Sequence, residues 1–221
     1  MEAIFYHIYI VFDAIIEVCL NYLDNVKAFN KYTNMPNKRE RILSATQELL
    51  SKHGFHGFSM KQLANTAGVA AGSIYNHFEN KDDLIMQLHL EILTGFAEYT
   101  FESFDDSVSL FEQYQHIWLK FWNYCLERPE AVLCKDQFDH LPPELKAFQY
   151  EKIMELFAPL TLFFDSGKSQ KIFKQLDNEV LSVLSIETAA ILARKQLMQQ
   201  IQLSDAEVLQ SIEASWHSIS N

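Results

Sequence analysis

Apolar residues in this chain recur mainly at intervals of three and four, the period of helices packed along one face. Between Asn37 and His53, Ile42, Leu43, Ala45, Thr46, Leu49 and Leu50 keep that spacing, and Gly54 ends the segment. Met60, Leu63, Ala64 and Ala67 repeat it over a shorter stretch, and Ser59 with Gln62 has the S-x-x-Q spacing of a capping box. Gly68 then stands where a chain leaving a helix commonly needs a left-handed residue. Val69 plugs the corner, and a second short helix is expected from about Ala70 through Ile74 to His77, closed by Phe78. Two short helices around a Gly-containing turn predict a helix-turn-helix, whose second helix enters a DNA major groove.

The remaining pattern is also helical. Asn80 is placed as an N-cap ahead of Asp82 and Asp83, which favour the positive end of a helix. Leu84, Ile85, Leu88, Ile92 and Phe96 carry its stripe, and the helix is expected to run to Phe101. After a break at 104–107, a helix from Val108 to Leu126 bears Phe111, Tyr114, Trp118, Phe121, Trp122 and Cys125 on or near one face. A short helix follows from Pro129 through Phe138, then a break at Leu141–Pro142–Pro143, then a helix from Glu144 to Phe164 disturbed at Pro159. Asp165–Ser166–Gly167 reads as the clearest turn of this half.

Asn178 to Gln199 carries two stripes, Val183, Ile186, Ala190, Ala193 and Leu197 on one side and Val180, Leu184, Ile191 and Met198 on another. A helix apolar on two sides is buried on two sides. Ser204 and Glu207 form a second capping-box pattern opening a last helix with Val208, Leu209, Ile212 and Trp216.

Composition sharpens this picture to an all-α chain: among 221 residues only 6 are Gly and 5 Pro, too little turn chemistry for an all-β fold. Cys19, Cys125 and Cys134 are irregularly spaced, so they give neither a disulfide framework nor a zinc set and fit a reducing cytoplasm; a redox pair Cys125/Cys134 is the alternative. The net charge of −11 is unevenly spread. Residues 35–80 carry five basic and three acidic side chains, whereas residues 81–221 carry eleven basic and twenty-two acidic. Such polarity orients a basic module toward DNA, and it also keeps an acidic body soluble.

The apolar run Ala3–Leu20 is interrupted by His7, Asp13 and Glu17 and has neither a basic n-region nor a cleavage site, which argues against a signal peptide and against a membrane span. Two expectations lead for residues 1–34, with a membrane-tethered DNA-binding protein, resting only on Ala3–Leu20, as a third reading. Either translation starts at Met35 and they form an upstream extension, or they form a helix laid against the body or a partner subunit.

The segment AGVAAGSIYNHFENKDDL, with RERILSATQELLSKHGFHGFSMKQLA before it, resembles the DNA-binding region of the TetR/AcrR family of bacterial transcriptional regulators. The resemblance covers roughly fifty contiguous residues with Gly, aromatic and Lys markers in register. It implies a head at 37–80, with three helices including the helix-turn-helix, and a larger helical body at 81–221 that binds an effector and dimerises. Residue by residue, phosphate contacts fall on Ser59, Tyr75, His77 and Lys81, and base-facing positions on Ala71, Gly72, Ser73 and Asn76. An aromatic at Tyr75 also suits packing on the first helix, and His77 has the same alternative. Lys38, Arg39 and Arg41 add basic candidates for phosphate, since three cations at the start of one helix oppose its dipole and stability alone would not choose them, with ordinary solvated charge as the alternative; Lys61 is a further candidate. Family members often carry Ser or Lys where Ala70 and Ala71 stand here, so few polar base contacts and modest specificity are expected.

The same resemblance implies an effector cavity in the body, with Phe96, Trp118, Phe121, Trp122, Phe138, Met154 and Phe157 as lining candidates. Aromatics and Met at helical spacing serve equally as plain core. It further implies a dimer interface from the last two helices, through Val183, Ile186, Ala190, Ala193, Leu197, Val208, Ile212 and Trp216, with the second stripe packing inside one subunit as the alternative. No catalytic motif, metal set or cofactor fingerprint is found. The chain is expected to be a cytoplasmic homodimeric repressor, released from a palindromic operator by a small apolar or aromatic ligand. The alternative is a ligand-independent DNA-binding protein whose body recruits another protein.

Overall fold

The computed structural model describes residues 36–54, 56–129, 138 and 143–221. The expectations for residues 1–34, and for a helix between Pro129 and Phe138, lie outside the described residues. Ten helices are found among the described residues: α1 Lys38–His53, α2 Met60–Ala67, α3 Ala71–Tyr75, α4 Lys81–Phe101, α5 Leu110–Glu127, α6 Pro143–Leu156, α7 Ala158–Ser169, α8 Asn178–Leu184, α9 Glu187–Leu197 and α10 Asp205–Ile219. None among the described residues is long and apolar enough to cross a membrane. The chain forms two compact units, residues 1–40 and 41–221, and of the first the described part is the start of α1.

Caps fix most helix starts. Asn37 and Glu40 exchange bonds at the head of α1: Glu40 N–H donates to Asn37 Oδ1 and Asn37 N–H to Glu40 Oε2, both at 3.0 Å. Asn80 Oδ1 accepts from Asp83 N–H at 2.9 Å, opening α4 as expected, and α4 does run to Phe101. Full capping boxes open α5 (Ser109 with Glu112) and α10 (Ser204 with Glu207).

Within residues 41–221 the apolar core has two clusters. Ile42, Leu49, Leu50, Phe58, Leu63, Ile74 and Phe78 pack with Leu84, Ile85 and Leu88 from the first half of α4. The second cluster is built on α5 (Tyr114, Ile117, Trp118, Phe121, Trp122), with Phe163, Phe164, Phe173, Leu181, Ile186, Ala193 and Ile212. Phe96 and Phe101 from the second half of α4 pack against this cluster. One 21-residue helix therefore serves both cores. α5 is flanked by α4, α9 and α10, and the phenol of Tyr114 ties it to α10 by donating to Ser215 Oγ at 2.7 Å.

Three expectations are corrected. The helix expected from Asn178 to Gln199 breaks at Ser185, whose backbone leaves the helical region at φ −128°, ψ −83°. The Ser185 hydroxyl donates to the Leu181 carbonyl and Thr188 Oγ1 donates to the Ser185 carbonyl, so side chains compete with the helix ladder at that point. The Glu144–Phe164 helix is two helices, and Pro159 lies in the first turn of α7, where its missing N–H costs no bond. Asp165–Ser166–Gly167 is not a turn but the interior of α7. Gly167 is there for the Phe173 ring: a Cβ at Gly167 would lie 2.0 Å from Phe173 Cδ2. The chain turns at Lys171 instead, with φ +59°, and the segment after it is bound to the C-terminus by Lys174 N–H to the Ile219 carbonyl at 2.8 Å.

Candidate nucleic-acid interface

The expected helix-turn-helix forms from α2 and α3. Ser59 Oγ caps α2 by accepting from Gln62 N–H at 3.2 Å; of the capping box, this is the half that forms among the described residues. Gly68 ends α2 in the left-handed region at φ +62°, ψ +41°, and Val69 N–H reaches back to the Ala64 carbonyl at 3.0 Å. α3 is shorter than expected, with Asn76 and His77 in the turn that follows it. Ile74 and Phe78 hold it down from inside, both essentially without exposed surface.

What α3 leaves outside is the proposed reading face. Ala71, Gly72, Asn76 and His77 are exposed, Ser73 is half-buried, and Tyr75 is 55 % exposed. Tyr75 is therefore not packed away on α1. A Cβ added to Gly72 would meet no atom within 4 Å, so nothing inside the fold requires a glycine there. Ser59, Lys61 and Lys38 are exposed, and Arg39 is half-buried.

Two cations from the flanking helices are engaged inside the fold. Lys81 Nζ donates to the Phe58 carbonyl at 2.8 Å and lies 3.9 Å from the centre of the Phe58 ring. Burial holds its pKa below the ordinary lysine value, with Asp82 opposing that shift. Arg41 donates to the Ala67 carbonyl from Nε at 3.2 Å and from Nη2 at 2.8 Å, and Nη2 also donates to the Gly68 carbonyl. α2 is thus held at its entry by α4 and at its exit by α1. Sequence pattern marks both residues as basic but carries no sign of these long-range bonds.

A model of the tetR family of bacterial regulatory proteins matches residues 42–88, and the tetracyclin repressor-like C-terminal domain matches residues 109–220. The chain belongs to the TetR family. An HTH-type transcriptional regulator of Haemophilus influenzae is 32 % identical over 183 residues, spanning 81 % of this chain and 94 % of that protein. A TetR-family protein structure from Vibrio parahaemolyticus superposes with a TM-score of 0.75 at 37 % identity, over 84 % of this chain and all of that one. The transcriptional regulator FadR of Bacillus subtilis, solved in complex with stearoyl-CoA, shares the fold with a TM-score of 0.66 at 22 % identity, over 81 % of this chain and 98 % of that one. This chain is accordingly an all-α transcriptional regulator with a DNA-binding helix-turn-helix.

In the body of this TetR-family chain, the seven expected lining residues do not form one group. Phe96 meets Phe121 at 4.3 Å and Phe157 at 6.0 Å between ring centres, with Tyr124, not anticipated, at 4.8 Å. Trp118 and Trp122 stack at 5.8 Å, and the fully buried Trp118 donates its Nε1–H to Thr188 Oγ1 at 3.1 Å. Phe138 belongs to the other core, 4.5 Å from the His89 ring. Met154 is 43 % exposed, at the surface of α6 rather than inside the body.

The expected interface residues are divided by the break at Ser185. Ile186, Ala193 and Ile212 have no exposed surface and Val208 very little, so these four are core of their own subunit rather than a face for another. Trp216 is half-buried against Phe111, Tyr114 and Phe173, and Ala190 and Leu197 are half-buried. Val183 remains outside at 48 % exposure. Val180, Leu184 and Ile191 of the second stripe are also exposed, as is Leu209 of α10. The second stripe, for which packing inside one subunit was the alternative, is thus exposed at three positions and half-buried at Met198.

Proposed function

We propose that this regulator acts as a homodimer that binds a palindromic operator by setting two copies of α3 in successive major grooves, roughly 34 Å apart. The observation that carries this reading is the outward face of α3. Tyr75, Asn76, His77 and the unobstructed Gly72 are presented to solvent while Ile74 and Phe78 anchor the helix from behind. Lys38, Arg39, Ser59, Lys61 and Lys81 supply the candidate phosphate contacts, and Ala71, Gly72, Ser73 and Asn76 the candidate base contacts. The dimer forms through the exposed Val180, Val183, Leu184, Ile191 and Leu209. A small apolar or aromatic effector enters beside Phe96, Phe121 and Phe157, shifts α4 and lowers operator affinity, which makes the protein a repressor. The acyl-CoA bound by the Bacillus subtilis FadR supports an effector with a long apolar part. The test is a thermal-shift screen of acyl thioesters and aromatic acids, followed by operator binding with each stabilising compound present. A stabilising compound that leaves operator affinity unchanged contradicts the release mechanism.

A second reading, a ligand-independent regulator whose body recruits another protein, is favoured by one observation. Trp118 is completely buried and its N–H already satisfied by Thr188, as in a solid core.

A further inference from the structure

Arg41 is the third basic residue of the Lys38–Arg39–Arg41 group, and sequence alone gives it the same candidate role as its neighbours, a phosphate contact. Its side chain is directed elsewhere. Three N–H groups of its guanidinium converge on two carbonyls, those of Ala67, the last residue of α2, and Gly68, the left-handed residue of the turn. The carbonyls at a helix C-terminus lack intrahelical donors and carry the negative end of the dipole, so a planar cation with a fixed fork is well matched to them. Arg41 itself is anchored by Ile42 and Leu43, both buried in the same core. Two residues past Gly68, Ala70 opens α3 without a side-chain cap bond, and α3 is only five residues long. A helix of that length does not hold itself in water. Its direction is set by Ile74 and Phe78 behind it and by the turn in front of it, and the turn is what Arg41 holds.

We propose that Arg41 is a positioning residue for DNA recognition, fixing the α2–α3 turn and so the pose of α3, rather than a phosphate contact. The inference rests on the DNA-binding reading above. Its test uses the full chain and a duplex recovered by the wild-type protein from a random-sequence pool, with Arg41→Gln and Arg41→Lys beside it. Melting temperature, operator affinity and the slope of log affinity against log salt are measured for each, at a temperature where all are folded. Positioning predicts that both variants bind at least about tenfold more weakly with the salt slope of wild type, because lysine keeps the charge but not the fork. A phosphate contact predicts that Arg41→Lys restores binding and that Arg41→Gln lowers the slope by about 0.9 for each phosphate no longer neutralised; that result overturns the inference. Variants that melt earlier yet bind like wild type overturn it as well, since the role is then stability alone. Arg41→Lys keeps the stem and charge and carries the test where Arg41→Gln fails to fold. A wild-type protein that recovers no duplex removes the DNA reading and this inference together, and is recognised before any variant is made.

Discussion

The ammonium of Lys81 lies 2.8 Å from the carbonyl oxygen of Phe58 and 3.9 Å from the centre of the same residue's ring. The first residue of α4 is thereby tied to the residue before the Ser59 cap of α2. A lysine used only on phosphate needs no such partners. Lys81→Met is therefore expected to cost about 1 kcal/mol of stability, because it removes both the hydrogen bond and the cation–π pair, besides weakening DNA binding. Thermal denaturation of the DNA-free protein checks this, and a melting temperature equal to wild type would show that the Phe58 pairing does not hold the head together.

Tyr75 gives the opposite signature. More than half exposed and outside the core, it contributes little to the fold. Tyr75→Ala is expected to leave the melting temperature within a degree or two, while operator affinity falls at least about tenfold. Equal operator affinity for the variant would mean that this ring does not face DNA.

The dimer prediction separates Val183 from Ile186, which share one stripe in the sequence pattern, and groups Val183 with Ile191 of the other. Val183→Asp and Ile191→Asp, on exposed positions, are expected to leave the helical content intact and shift sedimentation from dimer to monomer. Ile186→Ala, in a position with no exposed surface, is expected to cost about 2–5 kcal/mol of stability instead. A monomeric Ile186→Ala of wild-type stability would reverse the assignment.

Local signals were legible in the sequence, and tertiary ones were not. The Asn80 and Ser204 caps, the left-handed Gly68 and the extent of α4 all follow from residues a few positions apart. Gly167 misled because its reason is the Phe173 ring, a neighbour across a turn, and an isolated glycine beside Asp and Ser looks like turn chemistry. The two stripes in 178–199 were visible as two apolar faces. Periodicity could not say which one the subunit covers, and the break at Ser185 then changed which residues share a face. The α2–α3 helix-turn-helix was legible because it is built from contiguous residues, whereas Arg41 and Lys81 reach across twenty-three or more positions.

Close packing around Gly167 makes a sharp stability prediction. With two ring atoms of Phe173 within 2.2 Å of a built Cβ, Gly167→Ala must displace the ring and the C-terminal segment bonded beside it. A loss of about 1–3 kcal/mol is expected by chemical denaturation. A neutral result would show that Phe173 has room to move.

Cys125 tests the interior by chemistry. Burial pushes its thiol from 9.0 up to about 12. The thiolate form is thus disfavoured in the fold: this contribution to stability is fully present below pH 9 and is lost as pH rises toward about 12. Iodoacetamide at pH 8 is expected to leave Cys125 unmodified in the native protein and to alkylate it in denaturant, read by peptide mass mapping. Rapid native alkylation would contradict a closed core at α5.

Two copies of this chain are proposed to read one symmetric DNA site through α3. Selection of duplexes from a random-sequence pool by the purified protein, followed by the mass of the complex with the recovered duplex, tests that proposal without intermediaries. One enriched palindrome carrying two chains, or a multiple of two, is expected. Enrichment of no sequence, or a single chain bound to an asymmetric site, would contradict it.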